Sequence, residues 1–588
     1  MRKKLSIRTA LLAACALTAL VLVVIGPDYL GRFALNVLTR SMIYAMIAIT
    51  VDLLWGYTGI LTFGQAAFFG TGAYATAMLL NALGGSTGGF ALAGLAAVVV
   101  PVALGLLVGW LSFYYGSTPL YATVISLVVP IVVTQLVFSG GELTGSSSGL
   151  VGYATLPFDL KGYFRLAGLS LLAIAVAAFV FVRSDAGRVL VAIRDNEMRC
   201  AYLGLNTQRI RIILMASLAG VAGLAGFLFA NASGVVAPEN TGFVFGTELV
   251  VWTALGGRGT ILGAVAGTVG VDFLSANLSG DLPFLWQLII GTLFVLMIIV
   301  MPDGLAGLFA LLTRRRRSRT ADMAPRLVSL PSAAFDRNPS SPPLVRIEGL
   351  KKSYGSQQVL TGINLEVRSG ELVSLVGPNG AGKTTLMRCI SDGTEAVGGS
   401  ISIAGHDISG ETPNRIVALG VGRKFQVASV FDSMNVAECL RLARNRQEAF
   451  SPFAVSGELK LPEAACEILR LTGLDRQLSM PVSLLSHGQK QSLELAMVVS
   501  LEPRVILLDE PTAGLTKAER SIIGTILKRL TGELGYAAIL VEHDLDFVRD
   551  ISSRIVVLHQ GTLVLDGGVE EVVNSSLVGT IYAGAAHA

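Results

Sequence analysis

From residue 1 to about 312, polar positions are sparse and apolar residues follow one another without two-residue alternation. Runs such as "FALAGLAAVVVPVALGLLVGW" and "LWQLIIGTLFVLMIIVM" approach the roughly 20 residues that a helix needs to cross the hydrocarbon layer. The pattern predicts an N-terminal polytopic all-α membrane domain, 1–312, with eight to ten spans. The glycine-rich stretch "TALGGRGTILGAVAG" (253–267) interrupts it and predicts a broken helix or a re-entrant turn. The basic start "MRKK" precedes a long apolar run with no A-x-A site before the next span, so an uncleaved first helix is expected rather than a removed leader. Beyond about residue 314 charged residues become frequent and apolar ones contract into strand-length runs. Residues 313–343, rich in Arg, Ser and Pro, predict a flexible tether, and 344–588 predicts a soluble α/β domain.

Basic residues orient the membrane half. Arg2, Lys3 and Lys4 precede the first span, six arginines lie within 183–211, and "RRRRSR" (314–319) follows the last span. Short Lys/Arg-rich loops stay on the cytoplasmic side, which places the soluble half there too and requires an even number of crossings. The overall hydrophobic content of 52% is therefore the average of two unlike halves. A net charge of +4 is small for this length and argues against a nucleic-acid binder that relies on phosphate neutralisation. The five cysteines show no C-x-x-C pairing, which argues against a zinc site or a disulfide framework.

Four motifs in the soluble half converge on one nucleotide. "ELVSLVGPNGAGKTTLMRCI" carries G-x-x-x-x-G-K-[ST] from Gly377 to Thr384, between an apolar strand and a helix start. There the glycines Gly377, Gly380 and Gly382, with Asn379, let backbone N–H groups curl around phosphates at a helix N-terminus. Lys383 is expected to reach the β- and γ-phosphates of ATP, Thr384 to ligate Mg²⁺, and Thr385 to complete the binding segment. "RVILLDEPTAG" (504–514) ends an apolar strand in two carboxylates. Asp509 suits the Mg²⁺ shell, and Glu510 suits polarisation of the attacking water. "LVEHDLDFV" (540–548) offers His543 for the γ-phosphate or the water, and Gln426 in "GRKFQVASVF" reaches between metal and water.

Together these motifs resemble the ATP-binding-cassette family over essentially all of 344–588. The resemblance implies that Tyr354 stacks on adenine and that "AGLT" (513–516) links two ATP sites. It also makes "LSHGQ" (485–489) the signature segment, whose Ser486, Gly488 and Gln489 clamp the γ-phosphate of ATP held by an opposite cassette. His487 departs from the family's Leu-Ser-Gly-Gly-Gln. A tolerated variation, an auxiliary phosphate contact and a general base are its readings, in that order. Two cassettes must meet head to tail around ATP, so a chain with one cassette must pair.

The segment "RDNEMRCAYLGLNTQRIRI" (194–212) resembles an importer's coupling loop through Glu197, Ala201 and Gly204, although the Glu-to-Gly spacing is one residue off the family's pattern. An ordinary basic loop is the alternative. "DLLWGYTGILTFGQAAFFGTGAYATAML" (52–79) and "LGGRGTILGAVAG" (255–267) resemble the second permease subunit of the branched-chain amino acid, amide and urea uptake family, across nearly all of 35–310. Gly59, Gly64, Gly70 and Gly72 are expected to permit close helix approach. Asp52, Glu248, Arg258 and Asp272 lie in or beside predicted spans and must face a pore, a partner or the interface, Asp272 by reaching the outer surface.

The likeness implies an ATP-driven importer subunit in the cytoplasmic (inner) membrane, with its ATPase cytoplasmic, surrounded by lipid and without nucleic acid. Its expected partners are a second permease with its own cassette and an extracytoplasmic solute-binding protein; a homodimer stays open. "DLLWGYTG", "GGRGT", "GRKFQ", "LSHGQKQ" and "VLHQG" lean toward urea or short amides over branched-chain amino acids. An exporter half is the rival reading.

Overall fold

The structure, a computed structural model, describes residues 7–114, 119–281, 285–301, 304–307, 325–337, 341–395, 398–448, 451–454 and 456–578. Arg2, Lys3, Lys4, the "RRRRSR" cluster and much of the expected tether lie outside the described residues. The helices before the cassette include α1 (Ile7–Ile25), α2 (Arg32–Thr58), α3 (Gln65–Leu83), α4 (Thr87–Ser112), α5 (Pro119–Ser139), α6 (Leu160–Arg183), α7 (Asp185–Asp195), α8 (Glu197–Tyr202), α9 (Thr207–Ser233), α10 (Phe243–Gly256), α11 (Ile261–Asp281) and α12 (Trp286–Val300). The chain divides into two units, one of 1–183 and 208–320, the other of 184–207 and 321–588. Helices α7 and α8 thus belong with the cassette.

In the first unit, seven described helices are long and apolar enough to cross a membrane, and two shorter apolar helices, within 14–28 and Phe243–Gly256, add to them. Such helices satisfy their own backbone groups, the condition for residing in lipid. Small residues set their spacing: a Cβ on Gly72 would come within 2.6 Å of Gly223 Cα, so α3 and α9 touch backbone to backbone. The glycine-rich interruption is a break between α10 and α11, with Gly257 and Gly259 at φ +111° and +73°. Asp52 stabilises that break by accepting a 2.5 Å hydrogen bond from Gly259 N, and Tyr57 donates to Gly259 O at 2.9 Å. The outer-surface position expected for Asp272 is not what is found. It is buried, ion-paired with Arg40 at 3.0 Å and bonded to Ser41 at 2.6 Å, because it lies about three turns into α11 rather than at its end.

The second unit is built on strands β3 (Arg326–Leu330), β4 (Val345–Tyr354), β5 (Gln357–Val367), β6 (Leu372–Val376), β7 (Gly398–Ile403), β8 (His406–Asp407), β9 (Val421–Lys424), β10 (Glu458–Pro462), β11 (Val505–Asp509), β12 (Ala537–Val541), β13 (Arg554–His559) and β14 (Thr562–Gly567); β1 (Leu150–Val151) and β2 (Val235–Val236) are a short pair in the first unit. A six-stranded sheet runs β14-β13-β6-β12-β11-β9, parallel except for the β14 edge, beside a four-stranded antiparallel sheet β5-β4-β7-β8. Strands β6, β11 and β12 are buried at every position, which explains their unbroken apolar runs.

Part of the expected tether is ordered on the cassette. Strand β3 pairs in parallel with β10, and Phe335 packs edge-on against Tyr536 with centroids 5.1 Å apart. Its Leu327, Val328 and Leu330 had been masked by the basic and proline-rich residues around them.

Candidate nucleotide site and its docked loop

Four neighbouring parallel strands, β6-β12-β11-β9, end on one edge of the sheet, and each delivers a motif there. Strand β6 leads into Gly377 and the turn of Asn379 and Gly380, after which α13 (Lys383–Ser391) begins with Thr384 and Thr385 in its first turn. Gly377 (φ +148°) and Gly382 (φ +105°) cannot be replaced cheaply: a Cβ would lie 2.1 Å from Leu558 O in the first case and 2.8 Å from Leu360 Cδ2 in the second. Lys383 Nζ donates to Gly377 O at 2.7 Å and Pro378 O at 3.0 Å, inside the loop. Burial lowers the pKa of this ammonium, while Glu510 and Asp509 oppose the shift.

Strand β11 ends in Asp509 and Glu510. Glu510 takes φ +44°, a left-handed conformation costly for a side chain of its size. Its carboxylate is held from two directions: His543 Nε2 lies 2.6 Å from one oxygen, and Gln426 Nε2 donates to the other at 2.8 Å. His543 comes from the end of β12 and Gln426 from just past β9, so residues 84 and 33 positions away meet on one carboxylate. Burial raises the Asp509 carboxyl, opposed by the Arg423 guanidinium 3.9 Å away. Sequence reasoning missed Glu542, which accepts from Thr512 N at 3.1 Å and Thr512 Oγ1 at 2.6 Å and so fixes the turn after Glu510.

After α14 (Pro413–Ala418), α15 (Val436–Ala443) and α16 (Glu463–Leu471), the signature segment opens α17 (His487–Ser500). Ser486 is its N-cap: Ser486 Oγ accepts from Gln489 N at 3.2 Å, and Gln489 Oε1 accepts from Ser486 N at 3.1 Å. Gly488 lies in the first turn, where a Cβ would meet Glu519 Oε1 at 2.4 Å. The His487 ring sits against Gly514 of the "AGLT" loop, 3.2 Å from where a Cβ would be. Tyr354, at the end of β4, is 44% exposed, with Lys352 Nζ 4.9 Å from its ring centroid.

The segment 184–207 is seated on the cassette by charge. Arg199, fully buried, donates to Arg423 O at 2.9 Å and lies 3.3 Å from Glu494 of α17. Asp195 accepts from Ser433, Asn196 donates to Ser429 at 3.0 Å, Arg188 pairs with Glu438 at 2.6 Å, and Asp185 pairs with Arg441 at 3.3 Å. Of the three residues singled out by sequence, Glu197 accepts from Thr207 at 3.0 Å within the segment, Ala201 lies in α8, and Gly204 takes φ +87° beside Val417. The cassette contacts were missed because they are spread over basic and polar residues that read as an ordinary loop. From Arg199 a polar chain continues inward. Glu494 accepts from Phe425 N at 3.2 Å, Lys424 bonds Gln491, Gln491 donates to Gln426 O at 3.1 Å, and Gln426 holds Glu510.

Residues 33–301 match the family model described as branched-chain amino acid transport system / permease component, and residues 360–513 match the ABC transporter model. The high-affinity branched-chain amino acid transport ATP-binding protein LivG of Salmonella typhimurium is 34% identical over 256 residues, covering 42% of this chain and 100% of LivG. The chain belongs to the ABC transporter family. BraF of Pseudomonas aeruginosa, with the same description, is 32% identical over 42% of the transporter and 100% of BraF. The sulfate/thiosulfate import protein CysA of Bacillus cereus is 36% identical over 239 residues, 40% of the transporter and 65% of CysA. A solved ATP-binding cassette of an ABC transporter in its ADP conformation aligns with TM-score 0.35 and 24% identity over 42% of the transporter and 100% of that cassette. The transporter is thus a multi-pass membrane protein whose permease is fused to a nucleotide-binding ATPase that powers transport. Family members work in multi-subunit complexes with other permease and ATPase subunits.

Proposed function

We propose that the transporter is an importer half that takes up a branched-chain or related amino acid, supplied by an extracytoplasmic solute-binding protein and paired with a second permease and cassette. The observation that carries this reading is the 184–207 segment, continuous with α6 and α9, whose Arg199 is buried in the cassette against the helix that follows the signature. That seat lets ATP-driven movement of the cassette reach the membrane helices. The cargo class rests on the descriptions of the permease model and of LivG and BraF. The cassette alone does not choose a solute, since CysA resembles it equally well.

In this reading Gly377, Asn379, Gly380, Gly382, Lys383, Thr384 and Thr385 cradle the phosphates of ATP and Tyr354 stacks on the base. Glu510, oriented by His543 and Gln426, takes the proton of the attacking water as its oxygen bonds the γ-phosphorus and ADP leaves. Lys383 offsets charge on the β- and γ-phosphates. The donor set Thr384 hydroxyl, Gln426 amide oxygen and Asp509 carboxylate is all hard oxygen and fits Mg²⁺, which when bound neutralises phosphate charge. Ser486, Gly488 and Gln489 close on ATP held by the partner cassette.

Direction is tested with radiolabelled leucine in membrane vesicles carrying the full complex. Uptake that needs ATP on the cassette side and the solute-binding protein on the other supports import. ATP-driven movement away from the cassette side, independent of such a protein, would overturn it.

A further inference from the structure

The membrane unit holds a cavity of about 540 Å³ lined by Arg40, Tyr44, Phe245, Glu248, Trp252 and Asp272, and nothing in the catalytic cycle uses it. We propose that it is a solute site for a small zwitterion with an apolar side chain, an inference that rests on the cargo class proposed above.

The charges are unevenly balanced. Arg40 is already matched by Asp272, through Nη2 at 3.0 Å and Nε at 3.4 Å, and Ser41 fixes the same carboxylate at 2.6 Å. The guanidinium is pinned yet its side chain stays 43% exposed, so donors remain for a second carboxylate. Glu248 is exposed on α10 and makes no hydrogen bond or ion pair among the described residues. A carboxylate in a membrane span, left to lipid, is costly, which makes it a marker of a solute path. An ammonium group placed at Glu248 compensates that carboxylate, and a carboxylate placed at Arg40 accepts from the guanidinium N–H groups that Asp272 leaves free. A neutral amide leaves Glu248 uncompensated.

The third wall is aromatic. Tyr44, Phe245 and Trp252 are nearly buried and in mutual contact, with Tyr44 centroids 4.8 Å from Phe245 and 6.0 Å from Trp252. They offer a preformed apolar surface to a side chain, and the volume suits a molecule of amino-acid size. One positive edge, one negative edge and one greasy wall match the three parts of an apolar amino acid.

The test is equilibrium binding of radiolabelled leucine to the purified full-length transporter in lipid nanodiscs, with competition by 4-methylpentanoate, leucinamide, acetamide and urea. The expected result is saturable leucine binding that weakens at least tenfold in Glu248→Gln and in Arg40→Gln and is partly retained in Glu248→Asp and Arg40→Lys. Each competitor should act at least tenfold more weakly than leucine. ATPase activity of each variant serves as the folding control. Leucine binding unchanged in both neutral variants, alongside ATP-driven leucine uptake by the complex, would overturn the site while sparing the cargo reading. Urea or acetamide competing as well as leucine, with no leucine uptake, would sink both. Unchanged leucine binding with loss of the co-purifying second permease would make the cavity a subunit contact and overturn the proposal.

Discussion

The two units treat buried charge in opposite ways. In the membrane unit the buried acids are held locally: Asp52 accepts from the Gly259 backbone through one oxygen, while its other oxygen has no hydrogen-bond partner among the described residues, and Asp272 is held by Arg40 and Ser41. In the cassette unit charges form a connected web, from Arg199 through Glu494, Lys424 and Gln491 to Gln426 and Glu510. Isolated pairs hold helices in place. A connected web transmits displacement, because moving one member leaves the next without its partner, at a cost that burial magnifies. Consistent with that burial, Glu494 is pushed up and Lys424 and Arg199 are pushed down from their ordinary values, each shift opposed by its oppositely charged neighbours.

The end of the web gives the largest expected effect. Glu510→Gln removes the proton acceptor and should lower ATP turnover by about 10²–10⁴-fold with nucleotide binding retained, measured as phosphate release and nucleotide affinity on the purified complex. Turnover within a fewfold of the parent would break the web at its catalytic end. Next is the entry point. Arg199→Ala leaves the buried Glu494 with only Lys424 and the Phe425 N–H and should cost up to about 3–5 kcal/mol of cassette-unit stability in denaturant unfolding. The apolar pair Arg199→Met with Glu494→Leu should recover most of that stability while leaving solute uptake per ATP depressed. If uptake per ATP recovered too, the pair would be packing and not transmission. In the membrane unit, Gly72→Val forces α3 off Gly223 and should destabilise by about 1–3 kcal/mol, read as a lower unfolding midpoint in detergent.

The smallest effect is at the largely buried pair of Glu395 with Lys352, 2.8 Å apart. Glu395 is held below the usual carboxylate range by the Lys352 hydrogen bond first and then by Arg388. Its stabilising contribution is therefore present above the unfolded value of about 4.3 and fades as pH falls through the folded one. Thermal unfolding between pH 6 and about pH 3.5 should show a steeper acid loss for the parent than for Glu395→Gln. Equal slopes would remove this pair from the balance.

Legibility in the sequence follows the same division. The phosphate loop, Asp509, Glu510 and His543 were readable because each follows an apolar strand, and parallel pairing brings strand ends together regardless of separation along the chain; Gln426 follows the Val-Gly-Arg-Lys of β9 and carries no such signal by itself. The membrane spans were readable from run length. The docking residues were not, because Asp185, Arg188, Asp195, Asn196 and Arg199 find partners far along the chain that no local pattern announces. The ordered strand β3 was hidden for a compositional reason, and the Arg40–Asp272 pair because helical position, unlike strand position, does not reveal which neighbour a side chain will meet.

The seat of Arg199 also bears on biogenesis. The loop that carries it is synthesised well before the strands and helices that receive it, so a nascent or truncated chain displays its acids and arginines with nothing to hold them. Completion of the cassette covers them, so burial of Arg199 waits on the synthesis of α17.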